Sequence, residues 1–217
     1  MVNRTQTNLD DVEREAAASH LSVFGLVNDD TPDGVETIVL LGPREPGFWA
    51  FFSCSVEYKD GRADPLDRWS SRVVGNLAQR LGAKPFFPFG GPPYQPFTTW
   101  ARASKRAFIS PVGLLVHDQA GLMISYRGAL GFSHTIESTD FFGENPCDTC
   151  GDQPCVSACP VSALAAESYD VSSCKSSLEE PQSDCLSMGC NVRRMCPVSQ
   201  SYGRQPEQSA FHMRAFK

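Results

Sequence analysis

The 217 residues are 41% hydrophobic, 20% charged and 10% aromatic, a composition that excludes a disordered chain. The formal net charge of −6 excludes a strongly basic nucleic-acid binder and a polybasic membrane-surface protein. Apolar runs are too short to span a bilayer, and MVNRTQTNLDDVERE at the start holds no apolar signal core; the expected location is the cytoplasm.

In chain order, NLDDVEREAAASH (residues 8–20) sets strong helix formers after an Asn or Asp cap, with acids in the first turn, and predicts a helix. ETIVLL (36–41) is a β-branched run stopped by Gly42-Pro43 and predicts a central strand. FWAFFSCSVEY (48–58) is evenly bulky and reads as either a buried helix or a strand. Asp64-Pro65 opens a helix in which Leu66, Trp69, Val73, Leu77 and Leu81 recur at three- and four-residue spacing, and Gly82 closes it. KPFFPFGGPPYQPF (84–97) predicts a short strand entering a shaped loop. A short helix is expected over 98–106 and a glycine-interrupted strand over 121–132. The polar stretch 133–146 is the expected linker, with the domain boundary at 140/141.

Cysteine usage is the anomaly. Of nine cysteines, eight lie between Cys147 and Cys196, and only Cys54 stands apart. In a reducing compartment such density points to metal and away from disulfides. Cys147, Cys150, Cys155 and Cys159-Pro160 form C-x2-C-x4-C-x3-C-P, close to the bacterial ferredoxin run in which three cysteines hold one [4Fe–4S] cube and the fourth reaches a second. The geometric reason is that a tight loop wraps three corners of a cube, while the fourth corner is covered from elsewhere. Cys174, Cys185, Cys190 and Cys196-Pro197 follow, completing the eight thiolates that two clusters require. Crossed ligation assigns Cys147, Cys150, Cys155 and Cys196 to one cluster, and Cys159, Cys174, Cys185 and Cys190 to the other. VSALAA (161–166) is the expected apolar lid. A pair of four-cysteine zinc sites uses the same ligand count, but only Cys147/Cys150 has the C-x2-C spacing such sites favour, and zinc gives no reason for twin Cys-Pro endings.

These residues, with SPVGLLVHDQAGLMISYRGALGF (110–132) before them, resemble the epoxyqueuosine reductase family, cobalamin-dependent iron–sulfur enzymes acting on a tRNA base. The resemblance spans about residues 65–200. It implies an α+β protein: a nitroreductase-like domain over 1–140, related to cobalamin chaperones, then a ferredoxin-like dicluster module over 141–217. Two departures weigh against the tRNA reaction. The stretch expected to carry the proton-donating acid reads PFFPFGGPPY, and only 21 residues follow Cys196, too few for the family's helical repeats. The reading that results is an electron-transfer protein with two [4Fe–4S] clusters. The alternative is a reductase in which the clusters feed cobalamin or flavin; cobalamin is not favoured, and no catalytic residue is assigned.

Lesser features each carry two readings. Arg193 and Arg194 are either cations that stabilise a reduced cluster or solvated arginines. Arg102, Lys105 and Arg106, near Trp100, form an anion-receiving patch or a solvated helix face. His117 is a metal ligand or a structural strand-end histidine, and His134 and His212 lack a partner motif. Cys54 reads as a small buried residue. The loop 89–96 either lines a cofactor pocket or is simply shaped by Gly and Pro. The tail QSAFHMRAFK packs back over the clusters or frays.

Overall fold

A computed structural model describes residues 6–137 and 142–217. The chain has mixed α+β structure. In order it forms α1 (Leu9–Ala17), β1 (Leu21–Val27), β2 (Thr37–Pro43), α2 (Phe48–Ser53), α3 (Val56–Lys59), α4 (Pro65–Leu81), β3 (Lys84–Phe86), α5 (Phe97–Ala103), β4 (Ala107–Ile109), β5 (Leu115–His117) and β6 (Gly128–Phe132). Then come β7 (Leu164–Ala165), β8 (Ser168–Tyr169), α6 (Val171–Ser177), α7 (Cys185–Met188), α8 (Asn191–Met195), α9 (Pro197–Ser201) and α10 (Pro206–Phe216). Two compact units result: Met1–Arg106 with Ser125–Phe142, and Ala107–Ile124 with Gly143–Lys217. The expected boundary at 140/141 lies outside the described residues, as does part of the expected linker. The second unit is larger than the cysteine run, because it takes residues 107–124 from the middle of the first.

The first unit is built on an antiparallel sheet in the order β1-β2-β6-β3. Strand β2 is buried along its whole length, as its β-branched run predicts for a central strand. Helix α4 packs on β6 and β3 through Leu66, Trp69, Val73, Val74 and Leu77. Pro65 sits in its first turn, and Gly82 closes it at φ 68°, a left-handed conformation that costs glycine little. Asn8 caps α1 in a reciprocal pair with Asp11.

The ambiguous stretch 48–58 resolves into two short helices. Phe48, Trp49 and Phe52 are buried, and the Phe48 ring meets Trp69 edge-on at 5.4 Å. The first helix stops at Cys54, and Ser55 starts the second by accepting a bond from the Tyr58 amide at 3.3 Å. Cys54, expected to be buried, is exposed, because the aromatic face of α2 is spent on Phe48, Trp49 and Phe52. The strand expected over 121–132 is confined to β6, since Gly121 bridges back to His117 in the second unit. Strand β1 (LSVFGLV), for which the sequence raised no expectation, pairs with β2 through an irregularity between Val23 and Gly25.

The second unit holds two hairpins, β4–β5 and β7–β8, and five short helices. Its core joins Val112, Val116 and Leu122 from the inserted segment to Val192 and to Cys155 and Cys196. Helix α10 packs against α7 and does not fray. Among the described residues, no helix is long and apolar enough to cross a membrane.

Candidate metal centre

All nine cysteines are free thiols. Cys147, Cys150, Cys155 and Cys196 line one cavity of about 220 Å³ in the second unit. Local structure sets each one. The Asn145 side chain accepts from the Cys147 amide at 3.1 Å and donates to Asp148 at 2.8 Å, and the Cys150 amide closes a turn on the Cys147 carbonyl at 3.3 Å. Cys155 follows Pro154, which also faces the cavity. Cys196 stands in extended conformation between α8 and α9, where Pro197 starts the next helix.

Apolar Val116, Leu122 and Val198 complete much of the wall, along with Ser110, whose Oγ is buried without a hydrogen-bond partner. Burial pushes the Cys147 thiol up to about 11, reinforced by Cys155, Cys196 and Cys150 and by Asp148. Burial and Cys196 raise Cys155 in the same way. Three of these cysteines belong to the first run and the fourth comes from the far end of the second, the set that crossed ligation specifies.

Of the remaining four, Cys159, Cys174 and Cys190 border the β7–β8 hairpin. The Ala163 amide donates to Cys159 Sγ at 3.3 Å, and the Ala163 carbonyl accepts from the Asp170 amide at 2.8 Å. Tyr169, next to Asp170, donates its hydroxyl to Cys174 Sγ at 3.4 Å. Burial first, and then that bond, push the phenol well above its ordinary pKa, so it stays a donor. Tyr169 also lies near Cys190, whose own electrostatic neighbours include Cys185 and Arg193. Of the expected lid, Ala163 is buried over this region, whereas Val161 is exposed.

Among the described residues, no three His, Cys, Asp or Glu side chains converge as ligands of a single metal ion.

The other singled-out residues fall into place. Arg193 is no solvated arginine: its Nη1 donates to the Leu122 carbonyl at 2.5 Å and its charge reaches Cys190 and Tyr169. Arg194 binds the Gly189 carbonyl at 3.0 Å, Asp184 at 2.6 Å and Asn191. His117 is fully buried, with Nδ1 taken up by the amides of Gln119 and Ala120 at 3.1 and 3.3 Å and 2.9 Å from Asp118. That is a structural role. His134 Nε2 bonds the Thr7 carbonyl. Arg106 is buried, so it forms no exposed patch with Arg102 and Lys105. Sequence reading missed Ser110 and Tyr169, which stand in no recognisable motif and reach the cysteines only through folding. No protein-family model, curated protein or solved structure matches the chain.

Proposed function

We propose that the protein is an electron-transfer protein carrying two [4Fe–4S] clusters, one on Cys147, Cys150, Cys155 and Cys196 and the other on Cys159, Cys174, Cys185 and Cys190. The observation that carries this reading is the cavity lined by the first four, with free thiols, room for a core and an orphan hydroxyl. The donor set supports iron–sulfur chemistry over a single hard cation, since thiolates select soft or borderline metals. On this reading the second unit is a ferredoxin-like module and the first a nitroreductase-like domain acting as scaffold or docking surface. The likeness to epoxyqueuosine reductase rests on the order of the cysteines.

A bound cluster supplies one-electron exchange. The chain's residues do the rest: four thiolates would hold each cluster, Val116, Leu122 and Val198 line the first site with apolar surface, and amide and hydroxyl donors compensate the negative charge on sulfur. Thiols held protonated by burial release protons when they become ligands, so assembly and folding are coupled.

The test is metal and sulfide analysis of protein made anaerobically with ample iron. About eight iron and eight sulfide per chain are expected from two four-iron clusters. Stoichiometric zinc without sulfide would overturn the reading. A visible spectrum of the same sample, if it carries corrin or flavin bands beside the broad cluster absorbance, moves the assignment to a cofactor-dependent reductase.

A further inference from the structure

The cavity lined by Cys147, Cys150, Cys155 and Cys196 has an exposed side and a buried side. Thr149 and Gln153 are exposed, whereas Ser110, Val116, Leu122, Cys155 and Cys196 are buried. Polar groups around the buried side find partners within the chain. The Leu122 amide donates to Ser199 Oγ at 2.8 Å, and the Leu122 carbonyl accepts from Arg193 Nη1 at 2.5 Å. The amides of Cys155 and Val156 reach the Cys155 sulfur. The Ser110 amide donates to the Leu114 carbonyl at 2.9 Å, and the Ser110 carbonyl accepts from the Gly113 amide at 3.0 Å. The Ser110 hydroxyl does not: the residue is 4% exposed, and its Oγ has no hydrogen-bond partner among the described residues.

The turn that presents this hydroxyl is tightly held. Gly113 stands at φ 74°, and a Cβ there would lie 2.7 Å from the Ala166 carbonyl oxygen, so the turn 110–114 meets the chain at 165–166 with no room for a side chain. An apolar residue at 110 would complete the wall beside Val116 and Leu122 with no orphan donor, and buried hydroxyls in folded proteins carry a partner. The occupant of this cavity is accordingly one that accepts a hydrogen bond. Thiolate and sulfide sulfurs are such acceptors, and reduction adds negative charge to them. Resting on the cluster reading above, we propose that Ser110 is the tuning residue of the first site. Its hydroxyl donates to sulfur of the cluster held by Cys147, Cys150, Cys155 and Cys196, stabilises the reduced state more than the oxidised one, and raises the potential of that site. One electron arrives from a one-electron donor, which is oxidised in exchange. The hydroxyl proton stays on Ser110, and no bond is made or broken.

The experiment is an anaerobic redox titration of the full chain with dithionite and mediators, followed by EPR, with iron and sulfide measured on each sample. Ser110→Ala is expected to move one of the one-electron steps to more negative potential, by about tenfold in the reduced-to-oxidised ratio, or about 59 mV for one electron. Ser110→Thr, which keeps the hydroxyl, restores most of it. Should Ser110→Ala fail to fold, Ser110→Val set against Ser110→Thr makes the same comparison at nearly equal shape. Resonance Raman adds a readout that wall packing does not move: the iron–sulfur bands shift in heavy water, and Ser110→Ala loses part of that shift. Unchanged midpoints and bands, with iron and sulfide intact, assign the hydroxyl to a water and overturn the inference. A displacement of both steps alike, or toward positive potential, overturns it too, and in each of these cases the clusters stand. Wild-type protein without iron and sulfide overturns the cluster reading itself.

Discussion

At the scale of single residues, the Glu57–Arg72 pair shows how burial changes the worth of a charge. Arg72 Nε and Nη2 meet the two carboxylate oxygens of Glu57 at 2.5 and 2.9 Å. The bond from Arg72 holds the Glu57 carboxyl below its ordinary pKa against the opposing effect of its burial. A lowered native pKa stabilises the fold above the unfolded value of about 4.3. That contribution is lost as pH falls through the native value. Arg72 is half exposed, so solvent discounts the pair, and Arg72→Met is expected to cost about 1 kcal/mol at pH 7. Urea unfolding at pH 7 and pH 3 checks this; the two proteins should converge in acid, and an undiminished gap at pH 3 contradicts the assignment. In the second unit, Ser199 Oγ accepts from the buried Leu122 amide at 2.8 Å. Ser199→Ala leaves that amide unpaired and should lower the stability of this unit by about 1–3 kcal/mol, read from thermal melting. Neither pair is legible in the sequence, since Glu57 and Arg72 are 15 positions apart and Leu122 and Ser199 are 77 apart.

Elements differ in how much of their structure is local. Helix α4 was readable because its apolar residues repeat at helical period, Pro65 starts it and Gly82 ends it. The stretch 48–58 was not, because an even run of aromatic bulk has no period, and only the packing of Phe48 and Phe52 around Trp69 selects two helical turns. Strand β1 is hard to read for a related reason: its register with β2 shifts at Val23/Gly25, so its apolar residues keep no clean alternation. Two glycines with similar backbones make the contrast measurable. Gly82 (φ 68°) faces open space, so Gly82→Ala pays only backbone strain, about 1 kcal/mol. At Gly121 (φ 56°) an added Cβ would stand 2.5 Å from the Ser199 backbone nitrogen. Gly121→Ala adds a backbone collision to the same strain and should destabilise by clearly more, with a Tm loss at least twice that of Gly82→Ala. Equal losses would show that the turn at 117–121 relaxes freely.

For the whole molecule, the division into units predicts, on the proposed two-cluster reading, how the chain responds to loss of metal. The core of the second unit contains Cys155 and Cys196 together with Val112, Val116 and Leu122. Removing iron anaerobically should therefore strip hydrogen-exchange protection from 107–124 as well as from the cysteine run, while β1, β2, β6 and α4 keep theirs. Protection retained over 107–124 after metal removal would show that this segment folds without the cysteines. The sequence by itself determined that eight of the nine cysteines are concentrated between Cys147 and Cys196, and its crossed grouping sets Cys196 beside the first run, where the structure has all four line one cavity. Ligand type and loop length are local properties, and a short loop can surround only part of a cube. Only the tertiary structure decided that residues 107–124 belong with the cysteines, that Cys54 is exposed, that Ser110 lines the cavity of the first four cysteines, and that Arg193 is held on the Leu122 carbonyl. Those facts depend on which distant surfaces exclude water from one another, and no spacing along the chain encodes them.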